Sequence, residues 1–220
     1  MLIPFLLIVK QPDMGTAMIL LAVFVVMAFV NGITRKTLMR IAAGTVVLAP
    51  LIWHNLKGYQ KNRILSMWDP SADPLGTGYH TIQSKIAIGS GGLMGKGFFA
   101  GTQSKLNFLP EKHTDFIFAV FAEEAGFIGT LILLTLYLLI LLRMIDVITK
   151  AKDRVGSLMA AGITAMFGAH FFYNVAMTLG LTPIMGIPLP LLSYGGSATL
   201  ANYAAVGILL SIHLRRFKHD

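Results

Sequence analysis

Leu109-Pro110-Glu111-Lys112-His113-Thr114-Asp115-Phe116-Ile117-Phe118 places two carboxylates, an imidazole, a hydroxyl and an ammonium directly before a long apolar stretch. Asp115 has the most chemical potential of these. An aspartate of ordinary pKa, about 3.9, is ionised near neutrality, so it accepts a proton from any hydroxyl held against it. A structural role competes, because Thr114 or Asp115 at the head of the next helix is expected to cap its orphan N–H groups and meet the positive end of its dipole. His113 and Glu111 are neighbouring binding groups. Upstream, Lys96, Lys105 and Lys112, together with Lys85, offer cations to a phosphate, and the glycines between Gly89 and Gly97 let the backbone turn closely.

Other polar residues have structural readings. Gly95-Lys96-Gly97-Phe98-Phe99-Ala100 matches GxGxxA in letters, but no strand precedes it, and neither Ser nor Thr follows Gly95-Lys96 as a P-loop requires. Nucleotide binding is therefore not expected. Glu123 and Glu124 lie about two turns beyond Asp115; at 100° per residue Glu123 is about 80° from its face and Glu124 about 180° away. Intramembrane carboxylates are costly, so Glu123 is expected either to share a cavity with Asp115 or to pair with a neighbouring element. Asp13 reads as a helix cap, and His170 and Asn174, on one helix face, read as groups buried between helices. His54, His80 and His113 are too scattered for a metal triad, and with no cysteine there is neither a disulfide nor a thiolate site.

The elements that must position these groups are membrane helices. Of 220 residues, 55% are hydrophobic and 13% charged, outside the range of ordinary soluble domains. Apolar runs at about 14–31, 38–53, 116–142, 157–181 and 197–214 are near the length needed to cross a bilayer. The expected fold class is an all-α integral membrane protein, a single polytopic helical bundle over 1–220 with a long extracytoplasmic loop at about 55–115. Residues 2–9 read as the stump of an earlier helix, which makes the chain the C-terminal part of a longer one. The net charge of +8 does not point to nucleic acid, because the basic residues are dispersed between apolar spans. Thr34–Arg40, Lys150–Arg154 and the tail Arg215-Arg216-Phe217-Lys218 carry the Lys/Arg excess of a cytoplasmic side, which puts the C-terminus inside and Asp115 outside. Within the long loop, helical spacing over Lys57–Met67 ends at Trp68-Asp69-Pro70, and the glycine-rich 82–101 suits a re-entrant segment. Thr182–Ser197, with Pro183, Pro188 and Pro190, is a second broken segment of the kind that lines binding sites.

Taken in order, Gln11-Pro12-Asp13-Met14-Gly15-Thr16, Asp73-Pro74-Leu75-Gly76-Thr77-Gly78-Tyr79, Gln83 through Gly92, Gly95-Lys96-Gly97, Gly101-Thr102-Gln103, Leu109 through Phe118 and Pro188 through Ser197 resemble the SEDS family of bacterial shape, elongation, division and sporulation proteins. The wording is nearer the RodA branch than the FtsW branch. The resemblance implies a peptidoglycan glycosyltransferase of the bacterial cytoplasmic membrane that polymerises lipid II during elongation. Its implied partners are a class B penicillin-binding transpeptidase and other elongation-complex proteins. Asp115 matches the family's essential aspartate. It would deprotonate the acceptor 4-hydroxyl as that attacks C1 of the donor muramyl unit, giving an inverted β-1,4 linkage. Lys96, Lys105 and Lys112, or a divalent cation (Mg or Mn), would stabilise the departing pyrophosphate. A lipid II flippase and a non-catalytic scaffold for the transpeptidase are the alternatives.

Overall fold

A computed structural model describes residues 2–11, 13–73, 76–105, 111 and 113–216. Its helices are α1 (Leu2–Lys10), α2 (Met14–Val30), α3 (Arg35–Asn55), α4 (Gly58–Trp68), α5 (Thr77–Ser90), α6 (Thr102–Lys105), α7 (Ile117–Lys150), α8 (Arg154–Thr178) and α9 (Gly196–Arg215). The five apolar runs lie largely within α2, α3, α7, α8 and α9. α7, α8 and α9 are long and apolar enough to cross a membrane, while α2 is apolar but has only 17 residues. α3 is long enough, but Arg35, Lys36 and Arg40 dilute its first turns and Pro50 interrupts its hydrogen bonding. α4 ends before a 3₁₀ turn at Pro70–Ala72, where the Asp-Pro step was expected to break it.

α8 is the central helix, flanked by α2 and α7. Its buried residues Ala160, Ala161, Thr164, Phe167, Gly168, Phe171, Asn174, Met177 and Thr178 recur every three or four positions. The small residues among them let neighbouring helices approach closely. Tyr137 stacks on Phe171 with ring centroids 4.6 Å apart, and Phe118, Leu141, Met144, Phe167, Leu189 and Leu209 complete this core. By contrast, Leu131, Ile132, Leu136, Leu138, Leu139 and Leu142 of α7 are each more than half exposed. A helix apolar on its outer side as well as its inner side is suited to hydrocarbon.

Within the apolar run 116–142, α7 breaks at Gly126, where φ is 66° and ψ −166°. The bend is sharp. Tyr137 donates its hydroxyl to the Pro190 carbonyl, and the Tyr194 N–H donates to the His113 carbonyl at 2.8 Å. Four residues reach at most about 14 Å, whereas a straight helix would separate His113 from Tyr137 by about 36 Å. Residues 117–125 therefore form a separate short piece. The break leaves carbonyls above it and N–H groups below it without helical partners. The glycine-rich turn after α5 supplies them: Lys96 N and Gly97 N donate to the Glu123 and Glu124 carbonyls (both 3.0 Å), while Phe127 N and Ile128 N donate to the Gly92 and Leu93 carbonyls at 2.9 and 3.2 Å. A Cβ on Gly95 would lie 2.1 Å from the Glu124 carbonyl oxygen, and one on Gly126 2.2 Å from the Gly95 nitrogen. These glycines make room for α7.

The basic linkers gather at one end of the bundle. The Arg154 guanidinium donates to the side-chain oxygen of Asn31 at 2.7 Å and to its carbonyl at 3.2 Å, and Lys152, Asp153 and Arg215 line a common hollow. At the other end Asp13 caps α2 as expected, accepting from Thr16 N at 3.0 Å and Thr16 Oγ1 at 2.6 Å. There Gly15 lies so close to the loop after α8 that a Cβ on it would come within 2.7 Å of the Met185 carbonyl oxygen.

Candidate active site

Asp115 sits in the turn that leads into α7, and three successive carbonyls of this turn are tied down. His113 O accepts from Tyr194 N at 2.8 Å. Thr114 O accepts from Ser193 Oγ at 2.6 Å. Asp115 O accepts from Asn174 Nδ2 at 2.8 Å. Ser193 and Asn174 each have a second duty, since Ser193 Oγ accepts from Leu189 N at 2.7 Å and Asn174 Nδ2 donates to Ile187 O, also at 2.7 Å. Asn174 is fully buried. The loop between α8 and α9 is thereby pinned both to the turn and to the interior. Asn174 reads as helix packing in the sequence, and only its position beneath the turn reveals that it holds Asp115.

The side chain of Asp115 is not a cap. The N-cap of α7 is Phe116, without a side-chain cap bond, which corrects the expectation for Thr114 or Asp115. The reason is local. Glu111, at φ 55°, accepts from Thr114 N at 3.1 Å and Phe116 N at 3.3 Å, so the turn is already closed. The Thr114 hydroxyl is directed to the Glu111 carboxylate at 3.1 Å. The Asp115 carboxylate has no hydrogen-bond or ion-pair partner among the described residues. Its Oδ2 faces Gly186, where an added Cβ would approach to 3.4 Å. Burial pushes its pKa above the ordinary aspartate value, and the nearby Glu111 charge pushes the same way. It is therefore a partly buried carboxylate with raised proton affinity.

A groove of about 820 Å³ opens beside the turn, lined by His113, Ile117, Ser193, Tyr194, Thr199 and Tyr203 among others. It runs between the heads of α7 and α9. Exposed Tyr194, Leu200 and Tyr203 give it an aromatic and apolar edge.

The other expected site residues are distributed as follows. His113 lines the groove, and Glu111 is exposed in the turn before Asp115. Lys96 is not a solitary cation: its Nζ lies 2.8 Å from Glu123 Oε1, with Ser90 Oγ at 2.7 Å and Thr102 Oγ1 at 2.8 Å. Glu123 does not share Asp115's surroundings, since its side chain turns to this lysine and to α6. Lys112 and the Lys105 side chain lie outside the described residues. The Gly89–Gly97 segment meets α7 at the break, about three turns along the chain from Asp115, while the Thr182–Ser197 segment meets Asp115 directly. Among the described residues no three His, Asp or Glu side chains converge.

The chain is 46% identical over 214 residues to Peptidoglycan glycosyltransferase MrdB of Escherichia coli K12, covering 97% of this chain and 58% of that protein. It is 48% identical over 161 residues to Peptidoglycan glycosyltransferase RodA of Treponema pallidum, covering 73% of this chain and 37% of that protein. Its fold matches a chain of a peptidoglycan synthase complex that coordinates polymerization and crosslinking, with TM-score 0.79, 34% identity, and 97% of this chain against 59% of that one. It also matches crystal structures of the Thermus thermophilus rod shape determining protein RodA, with TM-score 0.63, 28% identity and 98% against 54% coverage for one of them. The chain thus spans little more than half the length of most of these relatives. The FtsW/RodA/SpoVE family of cell cycle proteins matches residues 1–218, and this polytopic helical chain, with its Asp115 turn pinned by the proline-rich loop before α9, belongs to that family.

Proposed function

We propose that this chain carries the reaction centre of a peptidoglycan glycosyltransferase that polymerises lipid II on the outer face of the bacterial cytoplasmic membrane, with Asp115 as general base. The observation that carries this reading is the partly buried Asp115 carboxylate, without a partner among the described residues, in a turn held by three anchored carbonyls beside an open groove. Lipid II presents a sugar joined through pyrophosphate to a long lipid. The groove's apolar edge suits the lipid, and the turn suits the sugar. Asp115 takes the proton from the acceptor 4-hydroxyl as that oxygen attacks C1 of the donor, with inversion to a β-1,4 bond and departure of the lipid pyrophosphate. Raised proton affinity favours this role, because a base works best when its pKa approaches the operating pH. Lys105 and Lys112 are cation candidates by sequence alone, and a magnesium or manganese ion would be carried mainly by the diphosphate itself.

The gathering of Lys152, Arg154 and Arg215 at the end of the bundle opposite Asp115, with Asn31 and so the start of the basic linker bound to Arg154, supports a cytoplasmic C-terminus. The cysteine-free chain allows a direct test: a cysteine at position 80 should react from outside, one at 152 only from inside. The chemical test is polymerisation of purified lipid II by the full-length protein with its class B transpeptidase partner. Asp115→Asn should lower the rate by about two to four orders of magnitude, the usual range for a lost general base. Polymerisation at the wild-type rate would eliminate the base role, and lipid II transport without any polymer would favour the flippase reading.

A further inference from the structure

The break at Gly126 separates residues 117–125 from the hydrogen-bonded body of α7. Asp115 stands at the head of this short piece. Its upper end is held by the loop before α9, so the catalytic geometry depends on what holds its lower end. Two sets of contacts do so. One is the pair of backbone bonds from Lys96 and Gly97 to the Glu123 and Glu124 carbonyls. The other is the Glu123 side chain, which is 0% exposed.

Donors from three stretches of chain converge on Glu123 Oε1. Lys96 Nζ and Thr102 N each approach to 2.8 Å, Thr102 Oγ1 to 3.0 Å and Gln103 N to 3.1 Å. Ser90 Oγ, at the end of α5, is more distant at 3.4 Å. Lys96 in turn binds Ser90 and Thr102. One carboxylate oxygen thus joins the end of α5, the glycine turn and the start of α6 to the severed piece of α7. A carboxylate at this depth is costly unless its partners are fixed, and charge-assisted bonds are the strong, directional ones.

We propose that Glu123, with Lys96, is a positioning residue for the glycosyltransferase reaction: the pair locks the severed first piece of α7 and thereby sets the height and angle of Asp115 beside the groove. The proposal rests on the general-base reading of Asp115. It assigns Lys96 to the enzyme's own carboxylate and not to the substrate's pyrophosphate.

The test uses the full-length protein with its transpeptidase partner and purified lipid II, comparing Asp115→Asn, Glu123→Gln, Lys96→Gln, the double variant Glu123→Gln/Lys96→Gln and Thr102→Val. Misplacement of a catalytic group by about 1 Å costs up to about 100-fold. Glu123→Gln is therefore expected to lower kcat by about 10- to 100-fold with KM for lipid II little changed. The double variant should be no worse than the poorer single, because the two residues act as one unit. The acid limb of the kcat–pH profile should also move in Glu123→Gln, since a displaced Asp115 meets different solvent. Thr102→Val keeps the ion pair but loosens α6, so a few-fold loss of kcat is expected even where Glu123→Gln does not fold. Wild-type kcat in Glu123→Gln or Thr102→Val, alongside an inactive Asp115→Asn, overturns the inference and leaves the base role standing. A raised KM at unchanged kcat in Lys96→Gln overturns it in favour of pyrophosphate binding. A lowered kcat with an unmoved acid limb overturns it in favour of general damage. An active Asp115→Asn removes both.

Discussion

Asp115 and Glu123 lie about two turns apart on the same stretch of chain, and the protein surrounds them in opposite ways. Glu123 has no exposed surface and draws four donors within 3.1 Å onto one oxygen. Asp115 has its backbone carbonyl fixed while its carboxylate has no partner among the described residues. A carboxylate surrounded by N–H and ammonium donors is a poor base, because every donor stabilises the ionised form. A carboxylate partly withdrawn from water and left without donors holds a proton more readily. The contrast separates an acid enclosed by donors from one left open to a substrate proton, although both look alike as intramembrane or near-membrane acids in the sequence.

The glycines that let the loop meet α7 are the positions most sensitive to substitution. Gly126→Val or Gly95→Val would force a side chain into backbone and demand a left-handed conformation that branched residues avoid. Loss of several kcal/mol is expected, read as a failure of the full-length protein to purify as a folded species in detergent. A smaller effect of the same sign follows from Glu123→Gln, which leaves Lys96 without its counter-charge. Breaking a buried pair costs about 3–5 kcal/mol, and because the Lys96 side chain is 28% exposed the lower end applies. A thermal melt should show it.

For Asp115 the expected sign reverses. Its folded pKa is raised, so ionisation opposes folding; this cost grows as pH rises from the ordinary aspartate value through the folded one and is complete above it. Asp115→Asn should therefore melt higher than wild type at pH 7, and the advantage should vanish below about pH 4, where the carboxyl is protonated in both states. A lower melting temperature for Asp115→Asn at neutral pH would show that the carboxylate is structural after all. Polymerisation should fall on the acid side at a pH above the ordinary aspartate range, for the same reason. The smallest effect is expected from Asp13→Ala, which removes an exposed cap and should cost about 1 kcal/mol without changing the acid limb.

Composition and spacing alone made the fold class legible, because five apolar runs of bilayer length have few other solutions. They also located Asp115, the α4 stop at Asp69-Pro70, the cap at Asp13 and the broken segment over Thr182–Ser197, each marked by local chemistry that needs no distant partner. The break at Gly126 was not legible. A glycine in an apolar run reads as helix, and nothing nearby indicates that Gly92, Leu93, Lys96 and Gly97 will complete the hydrogen bonds on either side. The same gap hid the true partner of Lys96. A lysine in a glycine-rich stretch resembles a phosphate ligand until a bend in another helix brings Glu123 to it.

The sequence by itself determined which residues could act: an aspartate in a polar turn, cations nearby, and apolar helices to hold them. Tertiary structure decided which residues are available to act. Availability is a property of neighbours, and the neighbours of the Asp115 turn (Asn174, Gly186 and Ser193) and of Glu123 (Ser90, Lys96 and Thr102) come from remote parts of the chain, joined only when α7 bends and the loops close against it.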